Sequence, residues 1–115
     1  MKKILITSIA IISLCCESNS NISAKEIWNT GKEFRSEKKI MKSITSFKSI
    51  IKKYPNDDLA PEAQFQIADI YLNDSKNYKL AIDEFINVIN HYPNHEVSKK
   101  SLFMIAYINN NYLQA

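Results

Sequence analysis

The residues able to do chemistry are few, and their spacing argues against a reaction. The 115-residue chain has two cysteines, Cys15 and Cys16, and two histidines, His91 and His95. Adjacent cysteines cannot staple distant segments, so a disulfide framework is excluded. A structural metal needs about four converging N or S ligands, and the histidines lie far from the cysteines. His91 and His95 flank Tyr92-Pro93-Asn94, where a helix end and solvent account for both. The single glycine, Gly31, rules out a Gly-rich phosphate loop. The carboxylates are scattered over faces that read as solvated. These residues form no catalytic set and no metal or cofactor site, and they imply no small-molecule substrate. The expected class is a binding protein rather than an enzyme.

What positions these residues is a stretch that occurs twice. Phe47 to Ile70 reads F-K-S-I-I-K-K-Y-P-N and then P-E-A-Q-F-Q-I-A-D-I. Phe85 to Ile108 reads F-I-N-V-I-N-H-Y-P-N and then K-K-S-L-F-M-I-A-Y-I. Pro55 and Pro93 are 38 residues apart, and the same offset carries Phe47 onto Phe85, Tyr54 onto Tyr92, Phe65 onto Phe103 and Ala68 onto Ala106. A period of this size marks an array of helical repeats. One Gly and three Pro agree with helices and few irregular loops.

Five helices follow from the apolar spacing. The first spans Ala24 to Ser36, capped by Ser23 with Glu26 as its box partner. The second spans Ile40 to Tyr54, with Ile40, Ile44, Phe47, Ile50 and Ile51 as its buried stripe. Pro61 opens the third, in which Ala63, Ile67, Ala68, Ile70 and Tyr71 follow. Asn73 to Asn77 is the next turn. The fourth spans Tyr78 to Tyr92, with Ala81, Ile82, Phe85, Val88 and Ile89 inward. The fifth runs from about Glu96 to Asn110 and is apolar on nearly every side from Leu102 to Ile108.

Met1 to Cys16 is a targeting segment. Lys2 and Lys3 precede an apolar run, Ile4 to Leu14, that is far shorter than the ~20 residues a spanning helix needs. Cysteines directly after such a run resemble a bacterial lipoprotein signal. That resemblance implies a lipidated Cys16 as the mature N-terminus, with Cys15 as the alternative. Residues 17–23 read as a flexible tether, and residues 24–115 as the folded domain.

The helix pairs resemble tetratricopeptide repeats. A small residue recurs in the first helix of each pair (Gly31, Ala68, Ala106). A second recurs in the partner helix (Ser43, Ala81), followed by an aromatic (Phe47, Phe85) and a closing proline. The resemblance implies an all-α solenoid of antiparallel helix pairs, about two and a half repeats long. The step from Gly31 to Ala68 is 37 residues rather than 38, so one turn carries an extra residue. The Y-P-N boundary, the A-P-E-A-Q-F-Q-I-A-D-I-Y stretch and the signal with its cysteine are similar to a narrower group. These are the periplasm-facing repeat lipoproteins of the outer-membrane β-barrel assembly machine and the related cell-division coordinator.

In that family the first helices line a concave face that holds a peptide. The resemblance places Trp28, Phe65 and Phe103 there as one set and Lys32, Asp69 and Tyr107 as a second, with Arg35 beside them. Such a face suits an extended peptide with an apolar residue and a carboxylate. The bland alternative is that the aromatics pack between units. The resemblance implies a protein or peptide partner in the cell envelope, and attachment to the outer membrane, facing the periplasm, through a lipid. The alternatives are a soluble periplasmic adaptor in cell division or cell-wall coordination, and an accessory repeat domain of a longer polypeptide.

Charge excludes a nucleic-acid partner. From Cys16 onward there are 13 basic and 12 acidic residues, far from the basic surplus that phosphate binding requires. The charge is uneven, however. Residues 24–55 carry 9 basic and 3 acidic side chains, and residues 56–115 carry 4 and 8. The basic end lies next to the expected anchor.

Overall fold

The computed structural model describes residues 22–114. The expected targeting segment 1–16, with both cysteines, and residues 17–21 of the expected tether lie outside the described residues. Among the described residues five α-helices follow one another: α1 (Ala24–Ser36), α2 (Ile40–Lys53), α3 (Leu59–Asn73), α4 (Tyr78–His91) and α5 (Glu96–Asn111). Among the described residues there is no strand. Each helix packs on the next in sequence, and the odd-numbered helices also touch one another, α1 on α3 and α3 on α5. The architecture is therefore an all-helical solenoid of antiparallel pairs.

The helix starts follow local chemistry. The Ser23 hydroxyl accepts the Glu26 N–H at 3.2 Å, and the Glu26 carboxylate accepts the Ser23 N–H at 2.9 Å, the reciprocal box expected from sequence. Asn77 caps α4 by accepting the Leu80 N–H. Pro61 lies two residues inside α3 instead of opening it, because Leu59 and Ala60 already form the first turn. Its missing N–H is still harmless, since the first four N–H groups of a helix have no partner within it. Tyr54 and Tyr92 are the C-caps of α2 and α4 rather than their last residues. Asn73 belongs to α3, so the turn that follows is residues 74–77.

That turn holds the extra residue. After α1, the N–H groups of Lys38 and Lys39 donate to the carbonyls of Arg35 and Phe34, with Lys38 left-handed at φ 65°. This paired closure brings the chain into α2 after three residues. After α3, Ser75 N–H reaches back to Ile70 and Asn77 N–H to Tyr71, with Lys76 left-handed at φ 54°. The loop is four residues long. Gly31 and Ser43 are thus 12 apart while Ala68 and Ala81 are 13 apart, which accounts for the 37-residue step.

The core is built where pairs meet. Ile44, Phe47 and Ile50 of α2 pack with Ala63, Ile67 and Ile70 of α3, and with Ala24 of α1. Ala68 and Leu72 of α3 pack with Ala81 and Phe85 of α4 and with Ile108 of α5. Close approach needs the small residues. A Cβ on Gly31 would lie 3.0–3.2 Å from the Phe47 ring, and the Ser43 hydroxyl donates to the Gly31 carbonyl at 2.7 Å. Ala68 and Ala81 are buried in the same way. Ala106 breaks the series and is exposed, because no helix among the described residues covers that side of α5.

Candidate functional site

The first-helix residues divide into those held by packing and those left open. Trp28 is half-buried and meets Phe47 edge-on, with ring centroids 5.1 Å apart at 71°. Phe65 repeats this against Phe85 at 5.4 Å and 62°. Both contacts lie within a pair, α1 on α2 and α3 on α4, and not between units. Phe103 stands at the same place in α5 and is 69% exposed.

The second set is just as uneven. Lys32 is exposed. Asp69 accepts from the Arg35 guanidinium at 2.8 Å through one oxygen and from the Asn73 amide at 2.8 Å through the other. Tyr107 is exposed and meets Tyr112 edge-on, and Tyr112 stacks on Tyr78 at 4.3 Å with planes 5° apart.

Arg35 is the most heavily bonded side chain on this side. Besides Asp69, it donates to Gln66 at 3.0 Å and to Asp74 through Nε and Nη2 at 2.9–3.3 Å. It ties the last turn of α1 to the second half of α3 and to that helix's C-cap. Burial alone would lower its pKa, but hydrogen bonds and charge from Asp74 and Asp69 outweigh this and raise it. The sequence gives no sign of this network, since Arg35 is 31–39 residues from its partners.

The histidines have structural settings. His95 is the N-cap of α5, and its Nδ1 accepts the Val97 N–H at 3.2 Å. His91 is exposed beside Tyr92. Burial raises the pKa of Tyr92, whose carbonyl accepts the Ser98 hydroxyl at 2.6 Å. A separate cleft of about 270 Å³ lies between α1 and α2, lined by Phe34, Met41, Lys42, Thr45 and Ser46. There the Lys42 ammonium sits 5.7 Å from the centre of the Phe34 ring.

The first-helix side thus combines braced and open residues. Exposed Lys32 stands on α1, which Arg35 ties to α3, while exposed Phe103 and Tyr107 stand on α5, with Tyr112 and Tyr78 beside Tyr107. Among the described residues, no group of three or more His, Cys, Asp or Glu side chains is placed to hold a metal ion.

The family comparison fits this geometry. The model described as tetratricopeptide repeat matches residues 62–95. The matched span takes in most of α3, the turn, α4 and the link to α5. No curated protein and no solved structure matches the chain. Tetratricopeptide repeats are typically non-catalytic modules for protein interaction. Residues 62–95 are thus similar to a tetratricopeptide repeat, α1 and α2 repeat the same packing one unit earlier, and together they point to a protein-interaction scaffold.

Proposed function

We propose that this protein is an exported, lipid-anchored scaffold that holds a protein partner at the periplasmic face of the outer membrane during assembly of outer-membrane proteins. The observation that carries the proposal is a sequence one: Lys2 and Lys3, the apolar run Ile4 to Leu14 and the cysteines Cys15 and Cys16 precede an array that resembles tetratricopeptide repeats. The partner meets the first helices. Lys32 supplies a charge for a carboxylate, Phe103 an apolar contact with Tyr107 one turn beyond it, and Trp28 and Phe65 form the half-buried floor. Arg35 and Asp69 fix the spacing of α1 and α3 beneath that surface.

The charge distribution supports a membrane-proximal first pair. Lys42, Lys48, Lys52 and Lys53 are exposed on α2, which has no acidic residue. They make no ion pair among the described residues. Near an anionic leaflet each such cation contributes about 1 kcal/mol.

Two measurements test the proposal. The protein should partition into detergent, and Cys16→Ser should move it to the aqueous phase. Partitioning that neither Cys16→Ser nor Cys15→Ser alters would defeat the anchor. Pull-down from native membranes should recover barrel-assembly components. Recovery of cell-wall enzymes instead would assign the scaffold to division or wall coordination.

A further inference from the structure

α2 buries Ser43, Ile44, Phe47 and Ile50 on the side that packs on α1 and α3. On its other side Met41, Lys42, Thr45, Lys48, Lys52 and Lys53 are exposed. The lysines extend over about 17 Å of helix, and α2 holds no acidic residue. Met41 is 71% exposed and borders the cleft that it shares with Phe34.

α4 takes the same place in the next pair and is finished differently. Its counterparts of the four lysines, 38 residues later, are Leu80, Ile86, Asn90 and His91. Thr45 and Ser46 become Asp83 and Glu84. A helix in this position therefore needs no lysine face to stay solvated. The C-terminus of a helix favours cations, which accounts for Lys52 and Lys53 but not for Lys42 and Lys48.

We infer that the open side of α2 rests directly on a leaflet containing anionic phospholipid, with the four lysines at the phosphates and Met41 among the upper acyl chains. The inference rests on the anchored reading above for the membrane that α2 meets, and it adds a contact that needs no lipid on the protein. The Tyr54 hydroxyl donates to the Ile22 carbonyl, so the chain leading to the expected anchor leaves the array beside the C-cap of α2. An anchor there would hold the leaflet at high effective concentration, where a modest contact suffices.

The kind of cation favours a membrane over an acidic peptide. An ammonium is a mobile point charge on a flexible stem, whereas a guanidinium fork matches one carboxylate bidentately. Lysines alone thus suit fluid phosphates better than fixed carboxylates, and their stems can lie along the interface with the charge in water. With α2 on the leaflet, α1 and α3 are packed on its far side, so the first-helix residues face away from the membrane.

The test uses the full chain carrying Cys15→Ser and Cys16→Ser, floated with vesicles of phosphatidylcholine alone or mixed with phosphatidylglycerol. Binding to the mixed vesicles should be at least about tenfold tighter and should be lost at high salt. Replacing Lys42, Lys48 and Lys52 by glutamine should weaken it at least about tenfold. Replacing Lys79, Lys99 and Lys100, which lie off this face, should change it less than about twofold. Met41→Gln should weaken it at least about threefold. Circular dichroism should show all three variants folded, since every replaced side chain is exposed. Equal binding to both vesicles, equal losses from both lysine sets, or no effect of Met41→Gln overturns the inference. So does a lysine-dependent complex with the peptide Glu-Glu-Phe-Glu-Glu and none with the mixed vesicles, because the face would then belong to an acidic partner. Detergent partitioning tests the anchor separately, since neither cysteine takes part in the vesicle assay.

Discussion

Arg35 shows how one side chain can read as a binding charge and act as a brace. Its guanidinium meets three acceptors on α3 and its cap, and only 23% of the side chain is exposed. Charge-assisted hydrogen bonds of this kind are stronger than neutral ones, but partial exposure reduces their net value. Arg35→Ala should therefore lower stability by about 1–2 kcal/mol. Arg35→Lys should recover little of it, because an ammonium cannot span the acceptors as a planar fork does. Urea midpoints at constant slope measure both, and a loss below about 0.3 kcal/mol would refute the bracing role. The raised pKa of Arg35 means that its contribution is fully present below the ordinary guanidinium value and is lost only as pH rises through the higher folded value. The network was not legible beforehand, because nothing in the order of residues indicates that Arg35 lies opposite Asp74.

Between helices, the decisive contact is Gly31 on Phe47. Alanine favours a helix over glycine by about 1 kcal/mol. Here the added methyl would press on a fully buried ring that Trp28 already meets edge-on. The ring is also packed in one cluster with Ala63, Ile67 and Ile70 of α3, so overpacking is expected to win, and Gly31→Ala should cost about 1–2 kcal/mol net. A rise in melting temperature would show that the pair has slack. The small residue and the aromatic that sets its size were both readable from the repeat. The direction of the aromatic contacts was not, since Trp28 and Phe65 pack inside their own pairs rather than across units.

Across the whole molecule, equivalent residues acquire different roles from their position in the array. Phe65→Ala should cost about 2–4 kcal/mol, because it removes a half-buried ring seated on Phe85. Phe103→Ala should change stability by less than about 0.5 kcal/mol, since its ring is 69% exposed. Equal losses in chemical denaturation would mean that Phe103 is covered in solution. The sequence alone determined the helices, their pairing and their period, because apolar spacing, caps and small residues act over a few positions or repeat at a fixed offset. It also located the first-helix residues and the surplus residue in one turn. Only the tertiary structure decided which of those side chains are used internally. Arg35 and Asp69 bond to each other, Trp28 and Phe65 are half-buried, and Phe103, Ala106 and Tyr107 remain open. Exposure depends on whether a neighbouring helix is present, and a residue's own identity and spacing carry no record of that neighbour.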